Sequence, residues 1–251
     1  KDLFEAAGLD PDTPPATWDE WQSYAEQLTD PDSNVYGSGI SYDYAYQIAH
    51  IMQRLGGLAV TDENGSWTAN FAGNEGYKEF LNMYKEMVDN GDNPLEADTD
   101  SMASAGQIGI TVGGPWVSAG LDTAGVDYGI GLIPQGDAGE MNSVEVIGFG
   151  ITTAASEEEK EAAYKFIEWW NTADEEGSSP ALEWSLNNGY PAYTYSVQDN
   201  EEYKSNEKLS AMSAANPEAP TDFIVDSNFP GINAILTDVI PPMINSVAFG
   251  E

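Results

Sequence analysis

The side chains best suited to ligand chemistry in this sequence are its aromatic rings. It contains 13 Tyr, 7 Trp and 8 Phe, several of them at predicted ends of helices or strands. Sugar rings have apolar faces that stack on flat aromatic rings, and their hydroxyl rims need carboxylate, carboxamide or phenol partners. Trp116 and Phe229 stand beside Gly or Pro at element junctions. We interpret both as candidates for stacking on a carbohydrate.

Catalytic and metal-binding motifs are missing from the sequence. It has no Cys, and its one histidine, His50, excludes a site that needs two imidazoles. No Walker loop, no strand-following G-x-G-x-x-G, no G-x-S-x-G and no H-E-x-x-H occurs. The acidic turns at 10–12 and 30–32 lack the spacing of a calcium loop, which favours solvated turns. We therefore predict a protein that is not an enzyme and has no cofactor and no metal site.

The charge balance restricts the partners. Lys and Arg total 8 against 43 Asp and Glu, and the formal net charge is −35. Such a surface repels phosphate backbones and anionic lipid head groups, so we expect no nucleic-acid partner. Two explanations of the acidity stay open. One is a solvated surface on a secreted protein, and the other is adaptation to high salt, where the Debye length falls to about 3 Å at 1 M.

Two capping boxes mark the starts of helices. Thr17 is followed by Glu20 and Ser156 by Glu159, so that each hydroxyl can accept from an early helical amide and each carboxylate can reach back. Apolar residues recur at helical spacing behind both boxes and in three other segments. The predicted helices cover 17–28, 44–55, 77–91, 156–170 and 231–247.

Most of the large aromatics fall on these helical stripes, where burial in the core is the expectation. His50 lies within a helix with no neighbour that completes a site, so we interpret it as an ordinary helix residue. The aromatic residues assigned to packing are Trp18, Trp21, Phe80, Phe166 and Trp170, the last two on a buried stripe with Ala163 and Ile167.

Short apolar runs between the helices predict strands at 107–112, 128–134 and 144–153. Residues 62–65 predict a turn between two further short strands, and Pro241-Pro242 predicts a kink in the last helix because both amide donors are missing. Strands that alternate with helices of this size indicate α/β layers with a largely parallel sheet.

The order of the segments resembles family 1 of the solute-binding proteins, the group that contains maltose-binding protein. The likeness runs collinearly through nearly the whole chain, and the ordered set is more specific than any one piece. The segments that carry it are 1–9, 14–20, the glycine pair at 56–57, the helix end near Gly91, Gly113-Gly114-Pro115-Trp116, 128–134, 150–156 and Gly189-Tyr190-Pro191.

This resemblance implies the two-lobe periplasmic-binding-protein fold of type II, with a sugar or oligosaccharide held in the cleft and passed to the permease subunits of an ABC importer. The family's tryptophan in the G-P-W segment stacks on the sugar, and here it is Trp116. Cleft positions shortly before the glycine pair carry a glutamate in the family, and this chain has none there. The further site residues that the resemblance implies are Asp43, Tyr44, Tyr46, Gln47, Asn228 and Phe229.

The same resemblance implies the domain organisation. Residues 1–142 with 199–251 correspond to the complete second lobe, 143–147 to a hinge strand, and 148–198 to part of the first lobe. Family members begin with most of the first lobe, so we interpret the chain as a fragment or as the ordered part of a longer protein. We expect a monomer in the periplasm or on the cell surface, lipid-anchored through the N-terminal part.

Two alternatives stay open. The same fold could bind another small solute such as a glycerol phosphate, which would favour a basic residue at the cleft, and Arg54 and the few lysines are poorly placed for it. The chain could also be an acidic secreted glycosidase, which would need a catalytic carboxylate pair and measurable turnover.

Overall fold

The computed structural model describes residues 1–55, 60–70, 74–96, 98–134, 142–144, 148–212, 221–223 and 229–250. The chain forms two compact units, one of Lys1–Glu145 with Ala215–Glu251 and one of Val146–Ala214. The helices of the first unit are α1 (Asp2–Ala7), α2 (Trp18–Leu28), α3 (Ala45–Arg54), α4 (Glu75–Asn90), α5 (Thr99–Ser104), α6 (Pro115–Ala124), α12 (Ile232–Ala234) and α13 (Ile240–Phe249). Its strands are β1 (Tyr36–Gly39), β2 (Val60–Glu63), β3 (Ser66–Ala69), β4 (Ile108–Thr111), β5 (Asn142–Val144) and β6 (Thr221–Phe223). The second unit contains α7 (Glu157–Asn171), α8 (Pro180–Asn188), α9 (Tyr195–Gln198), α10 (Glu201–Ser205) and α11 (Glu207–Met212).

The described strands pair two by two. β1 runs parallel to β4, with Tyr36 opposite Ile108, and β5 runs parallel to β6. β2 and β3 form an antiparallel hairpin. Its turn is Asn64-Gly65, with φ of 58° and 86°, and two successive positive φ values are what a tight hairpin turn requires. The predicted turn at 62–65 and the predicted strand at 107–112 are confirmed.

The predicted strand at 128–134 is absent, and the described part of the predicted strand 144–153 forms a strand only at Val144. The backbone at 128–134 and at 148–153 has no strand, and only β5 forms near the start of the predicted strand 144–153. An apolar run becomes a strand only when a neighbouring strand pairs with it. No described strand pairs with 128–134 or with 148–153, so the apolar pattern of these two segments was misleading.

The core of the first unit packs α2, α3 and α4 against the final helical segment. Ile48, Phe80, Tyr84 and Ile244 are completely buried within it. At the start of α2 the amide of Glu20 donates to the Thr17 hydroxyl at 3.1 Å, and the Thr17 amide donates to the Glu20 carboxylate at 3.3 Å. The first predicted capping box is confirmed, and so is the second, at Ser156 and Glu159.

Residues 232–249 form one helical run that would be long and apolar enough to cross a membrane by length and composition alone. The run is a core element here, because Ile235, Leu236, Ile240 and Ile244 are buried in the first unit. A wide π-helical turn at Ile235–Val239 directly precedes the proline pair at the start of α13. The missing amides of the two prolines interrupt the regular helical bonding to that turn. The predicted kink at Pro241-Pro242 stays a prediction.

The second unit packs α8 to α11 around Leu182, Val197, Tyr203 and Leu209. The buried stripe predicted on α7 is wrong, because none of its residues is buried. Phe166 is exposed, and the rings of Phe149, Phe166 and Trp170 pack on one another at centroid distances of 5.3 to 6.1 Å. Trp170 also packs on Trp184 of α8 at a centroid distance of 6.2 Å and borders the cluster of the second unit, so α8 covers the stripe only in part.

The unit boundary differs from the predicted lobe boundary in one place. Residues 199–212 belong to the second unit, where Tyr203 and Leu209 pack on α8, whereas the resemblance assigns 199–251 to the second lobe. Residues 145–147 of the predicted hinge strand lie outside the described residues. The assignment of the units to lobes stays a prediction.

Candidate functional site

The Gly-Gly-Pro-Trp turn links β4 to α6. Its two glycines let neighbouring side chains approach the backbone closely. A Cβ on Gly113 would lie 2.3 Å from Cγ2 of Val117, and a Cβ on Gly114 would lie 2.2 Å from Cζ3 of Trp116. Pro115 begins α6, where its missing amide costs nothing. The Trp116 indole therefore folds back over bare backbone and keeps 38% of its surface exposed.

One tyrosine at the start of α3 packs on this indole, and a second tyrosine packs on the first. The Tyr44 ring lies edge to face with Trp116, at a centroid distance of 6.3 Å and an interplanar angle of 79°. Tyr46 lies 6.4 Å from Tyr44 and is 37% exposed. These three predicted site residues, Tyr44, Tyr46 and Trp116, are brought together by the fold, and we refer to them as the aromatic corner.

Gln47 holds the two sides of the aromatic corner in register. Its Nε2 donates to the Val112 carbonyl at 2.5 Å and to the Gly39 carbonyl at 3.4 Å, and its Oε1 accepts from the Ser41 amide at 2.8 Å. The side chain is only 2% exposed. Gln47 therefore joins the first turn of α3 to the chain just beyond β1 and β4.

A second buried amide fixes the segment that leads to α3. Asn93 accepts from the Ile40 amide at 2.8 Å and donates to the Ile40 carbonyl at 2.9 Å. In addition, the Thr111 hydroxyl donates to the Gly39 carbonyl at 2.9 Å. Buried polar groups with satisfied partners keep a region rigid, so the strand ends beside the aromatic corner are held by several independent bonds.

The other predicted site residues have different surroundings. Asp43 is exposed, and its amide donates to the Ser41 hydroxyl at 3.2 Å. Phe229 packs against Trp67 of β3 at a centroid distance of 5.3 Å and borders the hydrophobic core. Asn228 lies outside the described residues.

Sequence reasoning missed Asp100, which lies in the first turn of α5 and is half-buried. Burial and the nearby Asp98 carboxylate raise the pKa of Asp100, while the Trp116 side chain opposes that shift. No local pattern marks this residue, since Trp116 is distant in sequence and comes near only through the packing of α5 on α6.

The local environments of His50, Asp10 and Asp30 are those of residues that support the fold. Burial, together with the Arg54 charge, lowers the pKa of His50 to about 4, so the imidazole is neutral in the interior at neutral pH. The carboxylates of Asp10 and Asp30 accept hydrogen bonds from their own turns. Among the described residues, no group of three His, Asp or Glu side chains could hold a metal ion.

Comparison with known proteins identifies the family of the chain. A family model described as bacterial extracellular solute-binding protein matches residues 1–211. The chain therefore belongs to the bacterial extracellular solute-binding proteins.

A curated relative extends this result. The maltotriose-binding protein of Pyrococcus abyssi is 30% identical over 171 residues, which are 64% of this chain and 36% of that protein. The chain thus corresponds to about a third of the relative that it matches.

Solved structures with the same fold are named as solute-binding or sugar-binding proteins. An ABC-transporter solute-binding protein from Thermotoga lettingae, bound with α-D-tagatose, superposes with a TM-score of 0.76 at 24% identity, covering 100% of this chain and 64% of that one. The cyclic α-maltosyl-1,6-maltose binding protein of Arthrobacter globiformis gives 0.67 at 20% identity, covering 100% and 63%. A cyclo/maltodextrin-binding protein complexed with maltotetraose gives 0.70 at 17% identity, covering 95% and 60%. At these identities the likeness establishes the fold, which is the α/β fold of two-lobe solute-binding proteins.

Proposed function

We propose that this chain carries the sugar-recognition surface of an extracytoplasmic binding protein that delivers a sugar or oligosaccharide to an ABC importer. The observation that carries the proposal is the aromatic corner, where rings from two helix starts pack together and the buried Gln47 amide joins the backbone segments that lead to them. The family membership and the sugar ligands named for the relatives support it.

The angle between the rings suits one sugar unit. Because Trp116 and Tyr44 are inclined at 79°, both faces cannot stack on the same pyranose. Trp116 supplies the face on which the sugar stacks, and Tyr44 forms a side wall at the hydroxyl rim. The exposed Asp43 carboxylate supplies a hydrogen-bond acceptor at the start of α3 for sugar hydroxyl groups.

The remaining parts of the proposal concern the whole protein. The ligand is held in a cleft that closes by a hinge motion, and the closed form docks on the permease subunits outside the membrane. The protein works as a binder without turnover, as a monomer, and lipid anchoring stays a prediction. A glycerol phosphate ligand is less suited, because Arg54, the basic residue nearest the site in sequence, is buried.

Tryptophan fluorescence during titration tests this function. The panel contains monosaccharides, maltose, maltotriose, maltotetraose and glycerol phosphate, at low and at molar salt, and sugar consumption is followed in parallel. We expect a saturable change with one sugar class and no sugar consumed. Saturation with glycerol phosphate alone, or sugar turnover, contradicts the proposal.

The matched variants are Trp116→Ala and Trp169→Ala, since both remove an exposed tryptophan and Trp169 lies in the other unit. Trp116→Ala is expected to weaken sugar binding by roughly 1–3 kcal/mol, the range for losing a well-placed aromatic anchor, with the fold intact by circular dichroism. Trp169→Ala is expected to leave the affinity unchanged. Equal affinities for Trp116→Ala and the unmodified chain would remove Trp116 from the site.

A further inference from the structure

The triplet Asn64-Gly65-Ser66 has the Asn-x-Ser pattern of an acceptor for asparagine-linked glycans. This pattern, with any residue except proline in the middle, occurs once in the 251-residue sequence. The pattern alone does not distinguish a glycan acceptor from a hairpin turn, because Asn-Gly is also the pair that a tight turn favours. The structural context of the triplet therefore has to carry the argument.

The triplet forms the tip of the β2–β3 hairpin. Glu63 pairs with Ser66 at the last register position, and Asn64 and Gly65 make the turn between them. All three residues of the triplet are exposed. A Cβ on Gly65 would meet no described atom within 4 Å, so the described part of the chain leaves open space at the tip. A bulky group can therefore extend from the Asn64 side chain without displacing a described element.

The Asn64 carboxamide has no structural role that a glycan would remove. Several other asparagine side chains support the fold, as Asn74 and Asn200 do by accepting from backbone amides at helix starts, at 3.2 and 2.8 Å. Among the described residues, the side chains of Asn64 and Ser66 take part in no hydrogen bond. Asn64 supports the turn through its backbone, with φ of 58°, and its side-chain nitrogen stays accessible.

We propose that Asn64 is an N-glycosylation site, modified by transfer of an oligosaccharide from a lipid-phosphate carrier. The proposal rests on the extracytoplasmic location of the protein and not on its binding of sugar. In the transfer, the carboxamide nitrogen of Asn64 attacks the anomeric carbon of the carrier-bound sugar. A C–N bond forms, the C–O bond to the phosphate breaks, and the lipid phosphate leaves with the bonding electrons. The carboxamide nitrogen loses one proton to a base of the transferase.

A glycan at this tip protects an open sheet edge. The β2–β3 hairpin is a two-stranded sheet, and no third strand of the described chain pairs with it. Open edges can pair with another chain, and proteins often blunt them with charged side chains. β3 has the sequence Ser-Trp-Thr-Ala, which carries no charge, and three of its four residues are exposed. A bulky, solvated glycan beside this strand hinders the approach of a second edge.

Peptide mapping of the protein isolated from its source cells tests the site. Trypsin cuts after Arg54 and after Lys78, so Asn64 lies in the peptide 55–78. We expect mass spectrometry to find this peptide with a mass increment of linked sugar units, and fragmentation to locate the increment on Asn64. An unmodified peptide 55–78, or an increment on another residue of it, overturns the proposal.

Variants at Ser66, made in the same cells, separate the acceptor pattern from the turn, because both keep Asn64 and Gly65. Ser66→Ala removes the hydroxyl that the pattern requires, and Ser66→Thr keeps a hydroxyl there. We expect complete loss of the mass increment in Ser66→Ala and its retention in Ser66→Thr. A glycan that persists in Ser66→Ala overturns the assignment.

A second pair of variants controls for the asparagine itself. Asn34 is also exposed and has a φ of 56°, yet it lacks the acceptor pattern. Aspartate tolerates this backbone region and has no carboxamide nitrogen. We expect Asn64→Asp to lose the increment and Asn34→Asp to retain it, and retention in both overturns the proposal.

Light scattering tests the protective role of the glycan, with circular dichroism to confirm equal folding. We expect Ser66→Ala to aggregate faster than the glycosylated unmodified protein and Ser66→Thr. The three proteins should aggregate equally when they are made in cells without the transferase. Equal aggregation of the proteins from the source cells refutes the protective role, while the mass increment decides separately whether Asn64 is modified.

Discussion

Acid should destabilise this protein through a single side chain, His50, before most carboxylates titrate. The folded-state pKa of His50 is lowered from 6.5 to about 4, first by burial and second by the Arg54 charge. Between these two pKa values the unfolded chain binds a proton that the folded chain excludes, so the free energy of unfolding falls as the pH falls. Above the unfolded pKa the imidazole is neutral in both states, and the penalty disappears.

The size of the effect follows from the two pKa values. Linkage gives a loss of about 2 kcal/mol between pH 7 and pH 5, rising toward about 3 kcal/mol as the pH falls through the folded pKa. The sequence contains one histidine, so no second imidazole contributes in this window. His50→Gln carries no titrating group at this position and is expected to lose correspondingly less stability over the same range.

Two assays check this prediction. Urea unfolding at pH 7 and pH 5, compared between the unmodified chain and His50→Gln, measures the difference in free energy. Because there is one histidine, the Cε1–H group of its ring gives a single NMR signal. The titration of that signal reports the pKa of His50 in the folded protein directly. An NMR titration midpoint of folded His50 near its ordinary pKa would refute the reasoning. So would an equal loss of unfolding free energy between pH 7 and pH 5 in His50→Gln.

Two further predictions concern the elements that hold the aromatic corner. Gly114→Ala places a Cβ 2.2 Å from the Trp116 ring, whereas Gly129→Ala places one 3.7 Å from its nearest neighbour. Sugar titration should show lower affinity for Gly114→Ala alone, and thermal unfolding should give similar temperatures for both variants. Equal sugar affinities would contradict the expected overlap between the Cβ at position 114 and the Trp116 ring. Gln47→Leu strands the Ser41 amide and the Val112 carbonyl, so urea unfolding should show a loss of roughly 1–3 kcal/mol. The control Gln27→Leu, on an exposed position of α2, should change stability by less than about 0.5 kcal/mol, and equal losses for the two would argue against the role of Gln47.

Local features of the fold were predictable because their causes lie within a few residues of each other. The capping boxes at Thr17 and Ser156 and the turn at Asn64-Gly65 depend on hydrogen bonds and backbone angles that the local residue types dictate. The Trp116 turn belongs to the same class, since only glycine at 113 and 114 tolerates the contacts found there.

Features that depend on a distant partner were predicted less well. The stripe on α7 has helical spacing, yet spacing does not state whether another element covers it, and Phe166 is exposed. The apolar run at 128–134 likewise lacks a described pairing strand. Periodicity therefore predicts the element that a segment prefers, while burial and pairing depend on what packs beside it.

The sequence by itself determined the residue types of the site: exposed aromatic rings at helix starts, the glycines under Trp116, and a composition without a catalytic or metal motif. The tertiary structure alone decided how these parts meet. It buried Gln47 between strand ends and packed the Tyr44 ring against the Trp116 indole. The physical reason is that a ring's chemistry is a property of its side chain, whereas its orientation comes from hydrogen bonds between elements far apart in the chain.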